Sequence, residues 1–267
     1  MQLPPPAALS ALTRLDPSLS QAALQALPGG RSNGVWRAGD FVLKHHNRAA
    51  ASPLFPNDPL AEARALSLFA PLGLAPRLRA RGADWIIYDH APGAPWRGDP
   101  APLARMLHRL HGTDLPRDSF RLLPNGSAAL LAHAATFAPP GLPPPPADPH
   151  LPPVSPRPVH ADAVLGNILA TKDRPLLIDW QCPGMGDPAE DLATLASPAM
   201  IWLYTGQIAQ DGWADALFDA YPCASTAARA RALRPLYLWR IAAHCAWKAA
   251  LGDADYARAL PMELAAL

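Results

Sequence analysis

The chain has 267 residues, half of them hydrophobic, enough to bury a substantial core in one large or two moderate domains, and this excludes a disordered protein. Lys+Arg (23) and Asp+Glu (22) nearly cancel to a formal net charge of +1, which leaves no basic field for nucleic acid or an anionic membrane surface and points to a small partner. Cys182, Cys223 and Cys245 are widely spaced with no C-x-x-C pair, so neither a disulfide framework nor a zinc site is expected. The start, Met1-Gln-Leu-Pro-Pro-Pro, has no basic stretch before an apolar run, and no segment approaches the roughly eighteen apolar residues of a membrane span. The expectation is a soluble cytoplasmic protein with free thiols.

From Leu24 to His90 the chain reads as short strands around one helix. Gly29-Gly30 and Asn33-Gly34 are turn signals, and Ala38-Gly39-Asp40 separates Val35-Trp36-Arg37 from Phe41-Val42-Leu43-Lys44 as a hairpin tip. Asp58 as N-cap and Pro59 in the first turn open a helix, with Leu60, Ala63, Leu66 and Phe69 as its apolar stripe and Glu62 at the border. Strands are expected around Arg77 to Ala80 and Trp85 to Tyr88, followed by a hinge at Asp89-His90-Ala91-Pro92-Gly93. The boundary is set there, giving regions 1–90 and 91–267. Beyond it, Pro102 to His111 and Ser127 to Phe137 have helical spacing. Prolines, 34 in all against an ordinary share of about 5%, dominate Pro139 to Pro158, which must be an extended surface connection. After Trp180 the chain is mostly helical, including a helix over Arg234 to Leu251.

The most informative stretch is Val159-His160-Ala161-Asp162-Ala163-Val164-Leu165-Gly166-Asn167, then the apolar strand Leu176-Leu177-Ile178 ending in Asp179-Trp180. His-x-Asp, an Asn five residues after that Asp, and an Asp twelve residues after the Asn resemble the aminoglycoside phosphotransferase and choline kinase superfamily. Gly186-Asp187-Pro188-Ala189-Glu190-Asp191-Leu192-Ala193 resembles the G-D-P-x-x-D-L-A signature that follows there. The chain departs from that pattern at Ala161, where Gly is common, at Val164 and Leu165, where a second His is common, and at Gln181, where Glu usually follows Asp-Trp.

The resemblance implies an α+β, two-lobed protein-kinase-like fold with a small β-rich N-lobe, a larger helical C-lobe and ATP in the cleft. It also implies transfer of the γ-phosphoryl group of ATP to a hydroxyl of a small metabolite. Choline, ethanolamine and thiamine lead the candidates, ahead of aminoglycosides, sugars or homoserine; the rival is a catalytically silent nucleotide-binding pseudokinase. Such chemistry needs a carboxylate to position the acceptor hydroxyl and take its proton, and oxygen ligands for a divalent cation. Asp162 fits the first role, supported by His160; Asn167 and Asp179 fit the second, for Mg²⁺.

On the nucleotide side, Gly29-Gly30-Arg31-Ser32-Asn33-Gly34 resembles the G-G-x-[ST]-N turn of choline and thiamine kinases, which singles out Gly29, Gly30, Ser32 and Asn33. Lys44 ends a Val-Leu-Lys strand as the phosphate-binding lysine of kinases does, with Glu62 as its partner, and backbone groups near Tyr88 to His90 are placed at the adenine. His108 and His111 are read as packing or surface residues, and Asp187 and Asp191 as structural braces of the catalytic loop. For the acceptor, Tyr237, Arg240, His244 and Trp247 recur at steps of three or four on one helix, with Trp180, Trp202 and Tyr204 nearby candidates; the alternative is that this stripe is plain packing.

Overall fold

Periodicity and turn chemistry account for most of the elements. A computed structural model describes residues 3–19, 24–27 and 31–267; Gly29 and Gly30 lie outside them. In chain order the first elements are α1 (Pro6–Leu15), β1 (Gln25–Ala26), β2 (Gly34–Ala38), β3 (Phe41–His45), α2 (Pro59–Phe69), β4 (Leu78–Arg81), β5 (Trp85–Asp89) and β6 (Ala94–Pro95). They are followed by α3 (Ala101–His111), β7 (Arg121–Leu122), α4 (Ser127–Ala135), β8 (Arg157–Val159), β9 (Ile168–Ala170), β10 (Pro175–Leu177) and β11 (Gly184–Gly186). The helices α5 (Ala189–Leu195), α6 (Pro198–Thr205), α7 (Trp213–Asp219), α8 (Ala224–Ala250) and α9 (Ala254–Leu264) complete the chain. It divides into two compact units, Met1–Pro95 with Ile168–Cys182, and Trp96–Asn167 with Pro183–Leu267. The return of 168–182 to the first unit differs from a single boundary at residue 90.

In the first unit the strands form an antiparallel sheet of order β1-β2-β3-β5-β4. Gly39 turns the β2–β3 hairpin with φ 56, a left-handed conformation that costs glycine nothing. Strand pleating then sorts side chains by parity. Leu43, Trp36, Trp85 and Ile87 join Ala8, Ala11 and Leu12 of α1 in one apolar cluster. Lys44, one residue on, points to the opposite face, where Glu62 of α2 meets it.

Helix α2 starts as its sequence dictates. The Asp58 carboxylate accepts from the amides of Leu60 (2.9 Å) and Ala61 (3.1 Å), a cap that contributes about 1 kcal/mol. Ala63, Leu66 and Phe69 are buried, but Leu60 is 52% exposed, correcting the four-residue stripe. At about 100° per residue, strict steps of three drift around the helix, so Leu60 stands half a turn from Phe69.

The second unit is helical apart from the three-stranded sheet β7-β11-β8. Its central element is α8, which begins ten residues before the expected Arg234 and carries Pro235 inside it. Every residue from Leu236 to Cys245 is buried, as befits a helix packed on all sides, here by α4, α5 and α9 among others. Residues 138–156 contain neither helix nor strand, as the prolines require. Because proline has no N–H, this segment is held largely through its carbonyls: Trp239 Nε1 donates to Pro143 O (3.0 Å) and Asn125 Nδ2 to Val154 O (2.8 Å). On α9, Glu263 Oε2 accepts from Ser197 Oγ (2.7 Å) and the Ala199 amide (2.9 Å), capping the start of α6. Among the described residues no helix is long and apolar enough to cross a membrane.

Candidate active site

A buried lysine needs a counter-charge, and Lys44 has two. At 2% exposure its Nζ donates to Glu62 Oε2 (2.6 Å) and to Asp179 Oδ1. Burial works against the ammonium charge, yet Asp179 and Glu62 more than offset this and hold its pKa above the ordinary lysine value. Glu62 responds inversely: burial disfavours its charge, but Lys44 and His46 keep it ionised, below the usual carboxylate range. His46 Nε2 lies 2.7 Å from the same Glu62 oxygen, a contact absent from the sequence reading. Asp179 follows β10 with φ 62, a left-handed conformation that Asp tolerates better than most residues.

The side chain of Asn33 is enclosed by other amides. Its Nδ2 donates to Gln181 Oε1 (2.6 Å), and its Oδ1 accepts from Asn57 Nδ2 (2.7 Å) and the Asn47 amide (2.9 Å). Gln181 thus serves a neutral network where a glutamate would bring a charge. Ser32 is half-buried just before β2. Tyr88 sits on the Lys44 face of the sheet, and burial raises its phenol pKa. The amides of Asp89 and His90 are already used, by Arg77 O (3.0 Å) and Asp40 O (2.8 Å). His90 itself is held below the ordinary histidine value by partial burial.

In the second unit, β8 delivers His160, Ala161 and Asp162, and a 3₁₀ turn over Leu165–Asn167 closes the loop. Asp162 is 4% exposed. Asn167 Nδ2 donates to Asp162 O (3.0 Å) and Oδ2 (3.2 Å), which orients the amide and leaves Oδ1 as its acceptor atom. Ala161, in the place where glycine is common in the resembled family, has φ 61. The Asp191 carboxylate braces that strained turn, accepting from the amides of His160 and Ala161, both at 2.8 Å. His111 Nε2 donates to the same carboxylate (3.0 Å), and the Tyr221 hydroxyl is 2.8 Å from His111 Nδ1. Burial opposes the Asp191 charge, but His111 and these amides hold its pKa down. His160 is fully buried. Asp187 accepts from the Ala189 amide (3.0 Å) at the start of α5 and pairs with Arg229 (2.6 Å). Gly166 admits no side chain, since a Cβ there would lie 2.2 Å from the Tyr204 ring.

The residues expected around an acceptor are mostly interior. Trp180 is fully buried, stacked on Phe69 (centroids 4.7 Å apart), with Nε1 donating to Leu177 O (3.1 Å). Arg240 is 2% exposed, pairs with Glu190 and lies over the Tyr237 ring (5.0 Å). Tyr237 is buried too. His244 stacks on Trp247 (5.9 Å) and meets Tyr256 edge-on, and burial pushes its pKa down to about 3. Trp247, half-buried, packs against the Trp239 cluster. The structure therefore gives this face of α8 the packing role. A cavity of about 350 Å³ lies instead within the second unit, walled in part by Trp96, Asp99, Leu165 and Trp213.

A sheet unit with a buried lysine bridging two carboxylates, and a helical unit with a braced Asp–Asn loop, define a protein-kinase-like phosphotransferase. The profile of the phosphotransferase enzyme family (APH) matches residues 23–235, and the chain belongs to this family. It is similar to a thiamine kinase of Shigella boydii serotype 4 (strain Sb227), 28% identical over 205 residues that span 67% of this chain and 70% of that one. Among solved structures, a choline/ethanolamine kinase family protein from Mesorhizobium loti superposes with TM-score 0.69 at 20% identity, covering 97% and 90% of the two chains. The ternary complex of streptomycin, ATP and APH(2")-IIa superposes with TM-score 0.62 at 13% identity, covering 97% of each. The chain is thus a small-molecule kinase.

Proposed function

We propose that the chain transfers the γ-phosphoryl group of ATP, with Mg²⁺, to a hydroxyl of a small metabolite of the choline, ethanolamine or thiamine kind. The observation that carries this reading is Lys44 Nζ, buried and shared between Glu62 and Asp179. An ammonium has three donors; among the described residues two are used, and the third suits a phosphate oxygen. The thiamine kinase relative and the ATP held by a solved neighbour support the substrate and nucleotide classes.

The donor set fits magnesium. Asn167 Oδ1 and the Asp179 carboxylate are hard oxygen ligands, and these residues would hold the ion. When bound, it neutralises charge on the nucleotide phosphates. Asp162 accepts the proton of the acceptor hydroxyl as that oxygen bonds to the γ-phosphorus and the bond to the leaving ADP oxygen breaks. Asn167 keeps the Asp162 carboxylate in place through its Nδ2. Lys44, fixed by Glu62, binds phosphate.

The test is a panel of hydroxyl compounds with Mg²⁺ and ATP, read as acceptor-dependent ADP release. Asp162→Ala should lower kcat by about 10² to 10⁴-fold with little change in folding, since that is what positioned proton transfer contributes. A variant retaining more than about a tenth of wild-type kcat would remove Asp162 from the role of base.

A further inference from the structure

We infer that His46 is a positioning residue for the phosphate-binding lysine: its Nε2–H locks the rotation of the Glu62 carboxylate that holds Lys44. This rests on the kinase reading above and adds a residue to it. Strand pleating accounts for the placement. Lys44 and His46 stand two residues apart, so both side chains leave β3 and its extension on the face where Glu62 of α2 lies, while His45 between them reaches Asp84 (3.3 Å). The amide of His46 donates to Asp84 O (2.7 Å) and that of Asn47 to Asn33 Oδ1 (2.9 Å), which fixes the backbone on both sides of the ring.

Glu62 Oε2 lies 2.6 Å from Lys44 Nζ and 2.7 Å from His46 Nε2, and the side chains of His46 and Glu62 are 0% and 1% exposed. An ionised carboxylate only accepts, so the proton of the second contact belongs to Nε2. Among the described residues Glu62 Oε1 and His46 Nδ1 have no hydrogen-bond partner. One carboxylate oxygen therefore takes both donors, and the bond to Glu62 is the one that the ring makes among the described residues. A buried Nδ1 without a partner costs stability that an apolar side chain would keep, so packing alone does not account for an imidazole here.

The terminal torsion of a glutamate is broad and nearly two-fold. Held by Lys44 alone, the carboxylate would turn about its axis and let Nζ swing with it. A second donor on the same oxygen, from a ring anchored through its own backbone, removes that freedom. Lys44 Nζ, which Asp179 shares, is thereby kept in one place.

The experiment measures kcat/KM for ATP, with the best acceptor of the hydroxyl panel, and the Kd for ATP with Mg²⁺ by calorimetry, both on the full chain. The variants are His46→Leu, His46→Gln, His46→Asn, Glu62→Gln and the double variant His46→Leu/Glu62→Gln. His46→Leu should lower kcat/KM for ATP about 10-fold with the acceptor KM unchanged. Glutamine puts its amide where Nε2 stands and should recover most of this; asparagine puts its amide at Nδ1, short of Glu62, and should lose as much as leucine. In the double variant the loss should match that of Glu62→Gln alone, because His46 acts through that carboxylate. If His46→Leu fails to fold, the comparison of His46→Gln with His46→Asn carries the test. A lower Tm with unchanged kcat/KM in His46→Leu, equal kcat/KM in His46→Gln and His46→Asn, or additive losses in the double variant would each overturn the role. Should the wild type release no ADP with any acceptor, the kinase reading falls. Weaker ATP binding in His46→Leu and His46→Asn than in His46→Gln would then keep His46 assigned, and equal Kd values would overturn that assignment too.

Discussion

The turns that carry Asp179 and Asp162 both contain a left-handed residue other than glycine, and they are stabilised in different ways. In the first unit the unusual φ falls on Asp179 itself, whose carboxylate is tied to Lys44 by an ion pair. In the second it falls on Ala161, beside Asp162, and its methyl group offers no compensating bond. The compensation is external, from the Asp191 carboxylate, which takes two backbone amides and His111. An ion pair between side chains can be shared with an incoming phosphate; a clamp on backbone amides cannot be. The difference teaches that one turn is built to exchange partners and the other to stay still.

Three substitutions would break or sharpen that contrast. Lys44→Met strips Glu62 of its cation in a buried setting, and breaking such a pair costs about 3 to 5 kcal/mol. Chemical denaturation should show a loss of that order, and a loss under about 1 kcal/mol would mean that the pair does not stabilise the first unit. Asp191→Asn comes next. An amide can accept from one of the two backbone N–H groups but presents a donor to the other, so a loss of about 1.5 to 3 kcal/mol is expected, with kcat falling more than KM for ATP rises. If both kinetic constants stay at wild type, the clamp does not position the loop. Smallest is Ala161→Gly, which removes about 1 to 2 kcal/mol of left-handed strain against about 0.5 to 1 kcal/mol of added chain entropy. A net gain of up to about 1.5 kcal/mol in thermal unfolding is expected; a clear loss would show that the Ala161 methyl packs better than its φ costs.

Much of this was legible in the sequence because it is local. The capped start of α2, the β2–β3 hairpin and the His160–Asn167 loop follow from short-range rules of caps, turns and spacing. What failed depended on partners far along the chain. Steps of three and four place Tyr237, Arg240 and His244 on one helix face, but whether that face meets a ligand or another helix is decided by α4, α5 and α9. His111, expected to be packing, became the third donor to Asp191 across eighty positions. The cavity escaped notice for the same reason, since its walls come from segments around residues 96–100, 165 and 201–216. His46 carried one weak hint, its place two residues beyond the strand-ending lysine.

The cap that α9 places on α6 has a consequence in protons. Among the described residues Glu263 Oε2 accepts two donors while Oε1 has none, and burial pushes this carboxyl from its ordinary 4.5 up to about 7. The folded chain therefore keeps a proton that the unfolded chain releases, and folding takes one up over that interval. Its contribution to stability is fully present below about pH 4.5 and is lost as pH rises through about 7. His244, held down to about 3, works in the opposite sense on the acid side, so the Glu263 share has to be read as a difference. Relative to wild type, Glu263→Gln should gain in Tm between pH 5.5 and pH 8, because an amide keeps a neutral cap at every pH. At neutral pH, hydrogen ion is in this sense a ligand of the second unit.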